Sequence, residues 1–182
     1  FALKAVTRTV RDHPDFAWGW AALAGLHADE FAYLINDATA ESAERCRECL
    51  RQALAVDPAC SYAHWIAGLI AFFEGRIDES IHAMDRTLEF SMGSPSEVGA
   101  VGTVLNVVGD VQRGQPMIDQ ALRMNPRLPG WVHWGTALEQ VAQGDYRGAI
   151  ATTRRFSMPQ CFWDPMLRAT SALGNGSVER GF

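Results

Sequence analysis

The chain has 182 residues, 48% of them hydrophobic and 20% charged, with a formal net charge of −5. A chain of this length can form one domain that buries roughly 70% of its unfolded surface, and its composition excludes a disordered segment. The lack of basic excess argues against a nucleic-acid partner, and the longest apolar stretch, about Tyr62 to Phe73, is well short of the ~20 residues that cross a bilayer.

In chain order, apolar residues at a period of about 3.6 predict helices at 2–12, 15–33, 41–56, 61–74, 77–90, 95–108, 115–124, 130–143, 146–156 and 163–173. No segment keeps the alternation of a strand. The chain opens at Phe1 with a helix already under way, which predicts a fragment of a longer protein and shows no signal peptide. Phe31 to Ser42 reads as an insertion of ten residues in which Asn36 to Thr39 turn and Asp37 or Thr39 caps the next helix. Ser94-Pro95-Ser96-Glu97 combines an N-cap serine, a first-turn proline and a glutamate at the third position, and Asp164-Pro165 repeats the cap-plus-proline device. Val111 to Gln115, followed by Pro116, is the least helical stretch, so that helix is expected to start at Pro116.

The prolines reveal a repeat. Ala53-Leu54-Ala55-Val56-Asp57-Pro58 and Ala121-Leu122-Arg123-Met124-Asn125-Pro126 close two helices whose prolines stand 68 residues apart, twice 34. Met92 occupies the place midway, Pro159 follows Pro126 by 33 residues, and Pro14 closes an earlier helix. Gly68, Gly102 and Ala137 are small residues midway along the first helix of each period, and Gly75, Gly109 and Gly144 follow seven residues later, where that helix turns.

With Gly144-Asp145-Tyr146, and Trp20, Leu23 and Ala24 placed as in a first helix, the chain resembles the tetratricopeptide repeat family over nearly its whole length. The resemblance implies an all-α, right-handed superhelix of antiparallel helix pairs forming one domain over 1–182. Its parts would be a preceding second helix at 1–14, repeats at about 15–58, 59–92, 93–126 and 127–159, an unpaired first helix at 160–174 and a tail at 175–182. More narrowly, Ala121 to Pro126, Pro129-Gly130-Trp131 to Trp134, Gly144 to Tyr146 and Phe162-Trp163 before Leu173-Gly174 are similar to the repeat region of bacterial signalling proteins. There such repeats join a class III nucleotide cyclase or a winged-helix regulator domain, neither of which this sequence contains.

Such repeats hold a peptide or a partner helix on the concave face formed by their first helices. Aligned repeats place Tyr62, Trp65, Leu69 and Phe72 on that face, with Trp131, Trp134 and Leu138 two repeats later and the small polar Ser96, Thr103 and Asn106 between. An apolar or aromatic anchor would suit such a pocket; the competing reading packs these aromatics as core. The places where related repeats carry a clamp for acidic tails hold Ala21, Gly25, Ile66, Ser96 and Ala100, which argues against an acidic-tail partner.

Chemistry is weakly represented. Cys46 and Cys49 have the spacing of a half-site for metal or redox chemistry but lie inside a helix with no second pair, so they read as small apolar packing residues; an oxidising compartment would allow Cys49 to pair with Cys60 if the geometry permits. The histidines His13, His27, His64, His82 and His133 are scattered singly, and Asn175-Gly176-Ser177 is a short glycosylation match. The expectation is therefore a protein-interaction or regulatory module that is not an enzyme, with no cofactor and no metal, in the cytoplasm or alternatively the periplasm. A sensor of a small apolar ligand is the first rival. A self-associating module, possible through the apolar side of the last helix at Leu167 and Leu173, is the second.

Overall fold

A computed structural model of the chain describes residues 2–32, 40–156 and 162–176. These residues form helices α1 (Ala2–Asp12), α2 (Ala17–Ala32), α3 (Ala40–Val56), α4 (Ser61–Phe73), α5 (Ile77–Phe90), α6 (Pro95–Val107), α7 (Val111–Met124), α8 (Trp134–Ala142), α9 (Tyr146–Phe156) and α10 (Trp163–Gly174), with a short 3₁₀ turn at Gly130–His133 before α8. The turn at Asn36 to Thr39, with its caps Asp37 or Thr39, lies outside the described residues, as do Pro159, Cys161 and Ser177 of the glycosylation match. The chain divides into two compact units, Phe1–Gly93 and Ser94–Phe182.

In the first unit α2 pairs with α3 and α4 with α5, while α2 also packs against α4. The sequence explains the arrangement. Helix α1 carries one apolar stripe, Leu3, Val6 and Val10, and offers it to the core. By contrast α2 is apolar nearly all round, as a helix packed on several sides must be. Ala21, Ala24, Ala28, Ala43, Ala53 and Ala63 bring the backbones close, and the buried Cys46, Cys49 and Cys60 fill the same core. Burial pushes Cys46 up to about 12 and Cys49 up to about 11, which suits packing and not redox chemistry. Polar bonds stitch the helices: Ser80 Oγ donates to the Gly68 carbonyl at 2.8 Å, and Glu30 accepts from Ser42 at 3.2 Å with His27 beside it at 3.1 Å.

Both Asp/Asn-Pro closings make the same turn: the Asp57 carboxylate accepts from Ala59 N–H at 2.9 Å and the Asn125 side-chain oxygen from Arg127 N–H at 3.0 Å. Six residues beyond a helix-closing proline, a ring N–H returns to that proline's carbonyl. Trp20 Nε1 donates to Pro14 and His64 Nε2 to Pro58, each at 2.9 Å. Where the register lacks its proline, Met92 and Gly93 take φ of 51° and 78°, a geometry closed to proline with its φ fixed near about −65°. The three expected turn glycines, Gly75, Gly109 and Gly144, all have φ between 76° and 92°.

In the second unit α6 pairs with α7 and α8 with α9, α6 also meets α8, and α10 packs on α8 and α9. Three local expectations are corrected. Helix α7 starts at Val111, so Pro116 stands inside it. Gly114 is there for closeness: a Cβ on it would stand 2.6 Å from the Gly102 carbonyl oxygen, and the helix–helix contact outweighs the local propensity. The stretch from Gly130 is a 3₁₀ turn before it becomes α8, because Gly130 is pressed against the carbonyls that end α9. Finally, Ser94 makes no side-chain cap bond although Pro95 opens α6, and Asp164 is already inside α10, buried and paired with Arg168. Arg168 in turn donates to the Thr153 carbonyl at 2.8 Å, which ties α10 to α9.

Candidate binding face

On α2, Trp18, Ala22, Gly25 and Asp29 are spaced by four, three and four residues and so share one side of the helix. Against that side α4 brings Tyr62. Its ring stacks on Trp18 with centroids 5.4 Å apart and planes 5° from parallel, and Trp65 lies 5.2 Å from it at a tilt of 42°. Gly25 eases the approach, since a Cβ there would stand 3.0 Å from the Tyr62 hydroxyl. Burial, and second to it the charge of Asp29, pushes that hydroxyl above the usual phenol range. Tyr62 and Trp65 are half-buried, Leu69 is buried, Phe72 is half-buried with its ring edge-on to Phe73 at 5.1 Å, and Trp18 is 49% exposed.

Tyr62 and Trp65 thus stand together with Trp18, with Asp29 on the same side of α2; Leu69 and Phe72 follow at helical spacing along α4. The sequence reading had not chosen Trp18 or Asp29, whose spacing with Gly25 was the available signal. What it lacked was the partner, because only the packing of α2 on α4 shows which side of α2 faces the aromatics of α4.

The residues expected in the second unit are placed less uniformly. Ser96 is exposed at the start of α6, and Trp131 and Leu138 are half-buried. Trp134 is 8% exposed and lies 5.3 Å from Trp163, which in turn lies 4.4 Å from Phe162. Thr103 and Asn106 are buried: the Thr103 hydroxyl reaches the Gly99 carbonyl at 2.9 Å and the Val132 carbonyl at 3.1 Å, and Asn106 donates to Gln115 at 3.0 Å. Thr136 donates to the same Gln115 oxygen at 3.0 Å, so these polar groups bind α6, α7 and α8 to one another.

A different side of α4 floors a groove of about 660 Å³ between α3 and α5, with Leu50, Ala67, Ile70 and Ala71 at its base. The arginines at its rim are engaged within the chain: Arg47 by Glu44 and Glu74, Arg51 by Glu48, and Arg76 by Glu74 and Glu79. Among the described residues no three His, Cys, Asp or Glu side chains stand close enough to hold a metal ion, and no helix is long and apolar enough to cross a membrane.

Residues 39–95 match the family model of the tetratricopeptide repeat. No curated protein matches the chain. Among solved structures it is similar to YrrB, described as a TPR protein with an unusual peptide-binding site, at 16% identity and a TM-score of 0.55, over 98% of this chain and 86% of that one. Residues 39–95 therefore carry tetratricopeptide repeat sequence, and the fold of the chain is that of tetratricopeptide repeat proteins.

Proposed function

We propose that the chain is a protein-interaction module that takes a peptide or a partner helix on its first-helix faces, as the regulatory or scaffold part of a bacterial signalling or regulatory protein in the cytoplasm. The observation that carries the reading is the aromatic face of the first unit. A tryptophan left 49% exposed while stacked on a tyrosine is poorly used by folding and well placed for recognition. The peptide-binding description of the similar YrrB structure agrees with it. In the second unit we assign Ser96, Trp131 and Leu138 to the same kind of face, and give Thr103, Asn106 and Trp134 to packing.

Isothermal titration of peptides selected from a randomised library tests the reading. Trp18→Ala and Trp65→Ala should each weaken binding at least about tenfold with the helical circular dichroism unchanged. Selected peptides that bind both variants as well as the parent would refute the face. A co-purifying small molecule seen by native mass spectrometry would transfer it to a ligand sensor. Leu167 is buried and so is not part of an outward face, but Leu173 and, beside it on α10, Met166 are exposed and favour a second reading, self-association, which light scattering checks directly.

A further inference from the structure

Asp29 stands at the end of the Trp18, Ala22, Gly25 stripe, close enough for its charge to act on Tyr62 of α4 and on Cys46 of α3. Among the described residues it has no hydrogen bond and no ion pair. Its neighbour Glu30, by comparison, has both His27 and Ser42. Segment 33–39, which follows α2, contains no lysine, arginine or histidine that could supply a cation. Asp29 is exposed, and the protein packed near its carboxyl still pushes it up to about 6 by partial desolvation. Among the described residues Asp29 is therefore an acid without a counter-charge at the edge of an aromatic surface.

We infer that this face takes a basic side chain, arginine above all, of a bound peptide: the cation pairs with Asp29 and the aliphatic stem lies beside Tyr62, whose hydroxyl stands at Gly25, one helical turn from Asp29. The inference rests on the peptide-binding reading above and narrows it to partners with a basic residue at the contact. Charge decides the class. An acidic segment would bring like charges together, and an apolar anchor would remove still more water from a carboxylate that has nothing to pair with. Arginine is preferred to lysine because its flat, weakly hydrated guanidinium both stacks on aromatic rings and meets a carboxylate with two parallel bonds.

The test is a randomised dodecapeptide library displayed on phage and selected against the whole chain, followed by titration of the enriched peptides. Enrichment of arginine is expected, with an affinity loss of at least about tenfold on replacing that arginine by citrulline, its neutral isostere. The Asp29→Asn variant should show a similar loss and make the citrulline replacement nearly silent, since each change removes the same pair. Enriched peptides without a basic preference, lost on Trp65→Ala but indifferent to Asp29→Asn, would overturn this inference and leave the groove reading standing. Failure to enrich any peptide sensitive to Trp18→Ala or Trp65→Ala would overturn both.

Discussion

Trp18→Ala and Trp134→Ala should separate a surface aromatic from a core one. Trp134 is 8% exposed and leans on Trp163. Its removal leaves a cavity beside α10, and large-to-small changes of a buried tryptophan cost ~4 kcal/mol. Trp18 is 49% exposed, so about half of its ring area is already in water. At about 25 cal/mol per Å² of apolar surface, with the loss of stacking on Tyr62 added, truncation costs ~3 kcal/mol. The measurement is urea unfolding followed by circular dichroism, with each variant compared with the parent at the same pH. A chain in which Trp18→Ala costs as much as Trp134→Ala, or in which Trp134→Ala costs less than about 1 kcal/mol, would refute the division between face and packing.

Two glycines offer a matched pair. Gly114→Ala and Gly19→Ala each gain about 1 kcal/mol of helix propensity. At Gly114 the new methyl meets the Gly102 carbonyl and the Asn106 backbone nitrogen, whereas at Gly19 it first meets the ring of the exposed Phe16. Thermal unfolding should show Gly114→Ala destabilised by ~2 kcal/mol net and Gly19→Ala neutral or stabilised; equal effects would contradict the backbone contact of α6 with α7. The folded-state pKa of Asp29, raised from 3.8 to about 6, means that the folded chain holds a proton there which the unfolded chain has released, so this group lowers stability as pH rises from about 4 to about 6. Asp29→Asn should accordingly match the parent near pH 4 and exceed it at pH 7.5 by ~1 kcal/mol, a small figure because the carboxylate keeps contact with water. A parent more stable than Asp29→Asn at pH 7.5 would reverse the sign and refute the desolvation. In a Cys161→Ser background, Cys46, Cys49 and Cys60 should react with a disulfide reagent at pH 8 at least about a hundredfold slower folded than unfolded; fast labelling would show that they are not buried.

The all-α fold, the order of the helices and most of their ends follow from the sequence by itself, because they depend on local rules. Amphipathic spacing sets α1, the Asp57-Pro58 and Asn125-Pro126 closings bend the chain through their own side chains, and Gly75, Gly109 and Gly144 admit backbone angles that other residues resist. Where helix rules met a tertiary contact, the contact prevailed: Gly114 and Pro116 sit inside α7 because α7 must lie against the Gly102 backbone, and Asp164 is buried in α10 because Arg168 pairs with it and reaches α9. The candidate face divides the same way. Tyr62, Trp65, Leu69 and Phe72 can be found from repeat alignment alone, since α4 is read along one helix. Whether Thr103 and Asn106 face outward depends on where Val132 and Gln115 come to rest. That Trp18 and Asp29 join Tyr62 depends on α2 packing against α4, a meeting of residues more than thirty positions apart that only the folded chain decides.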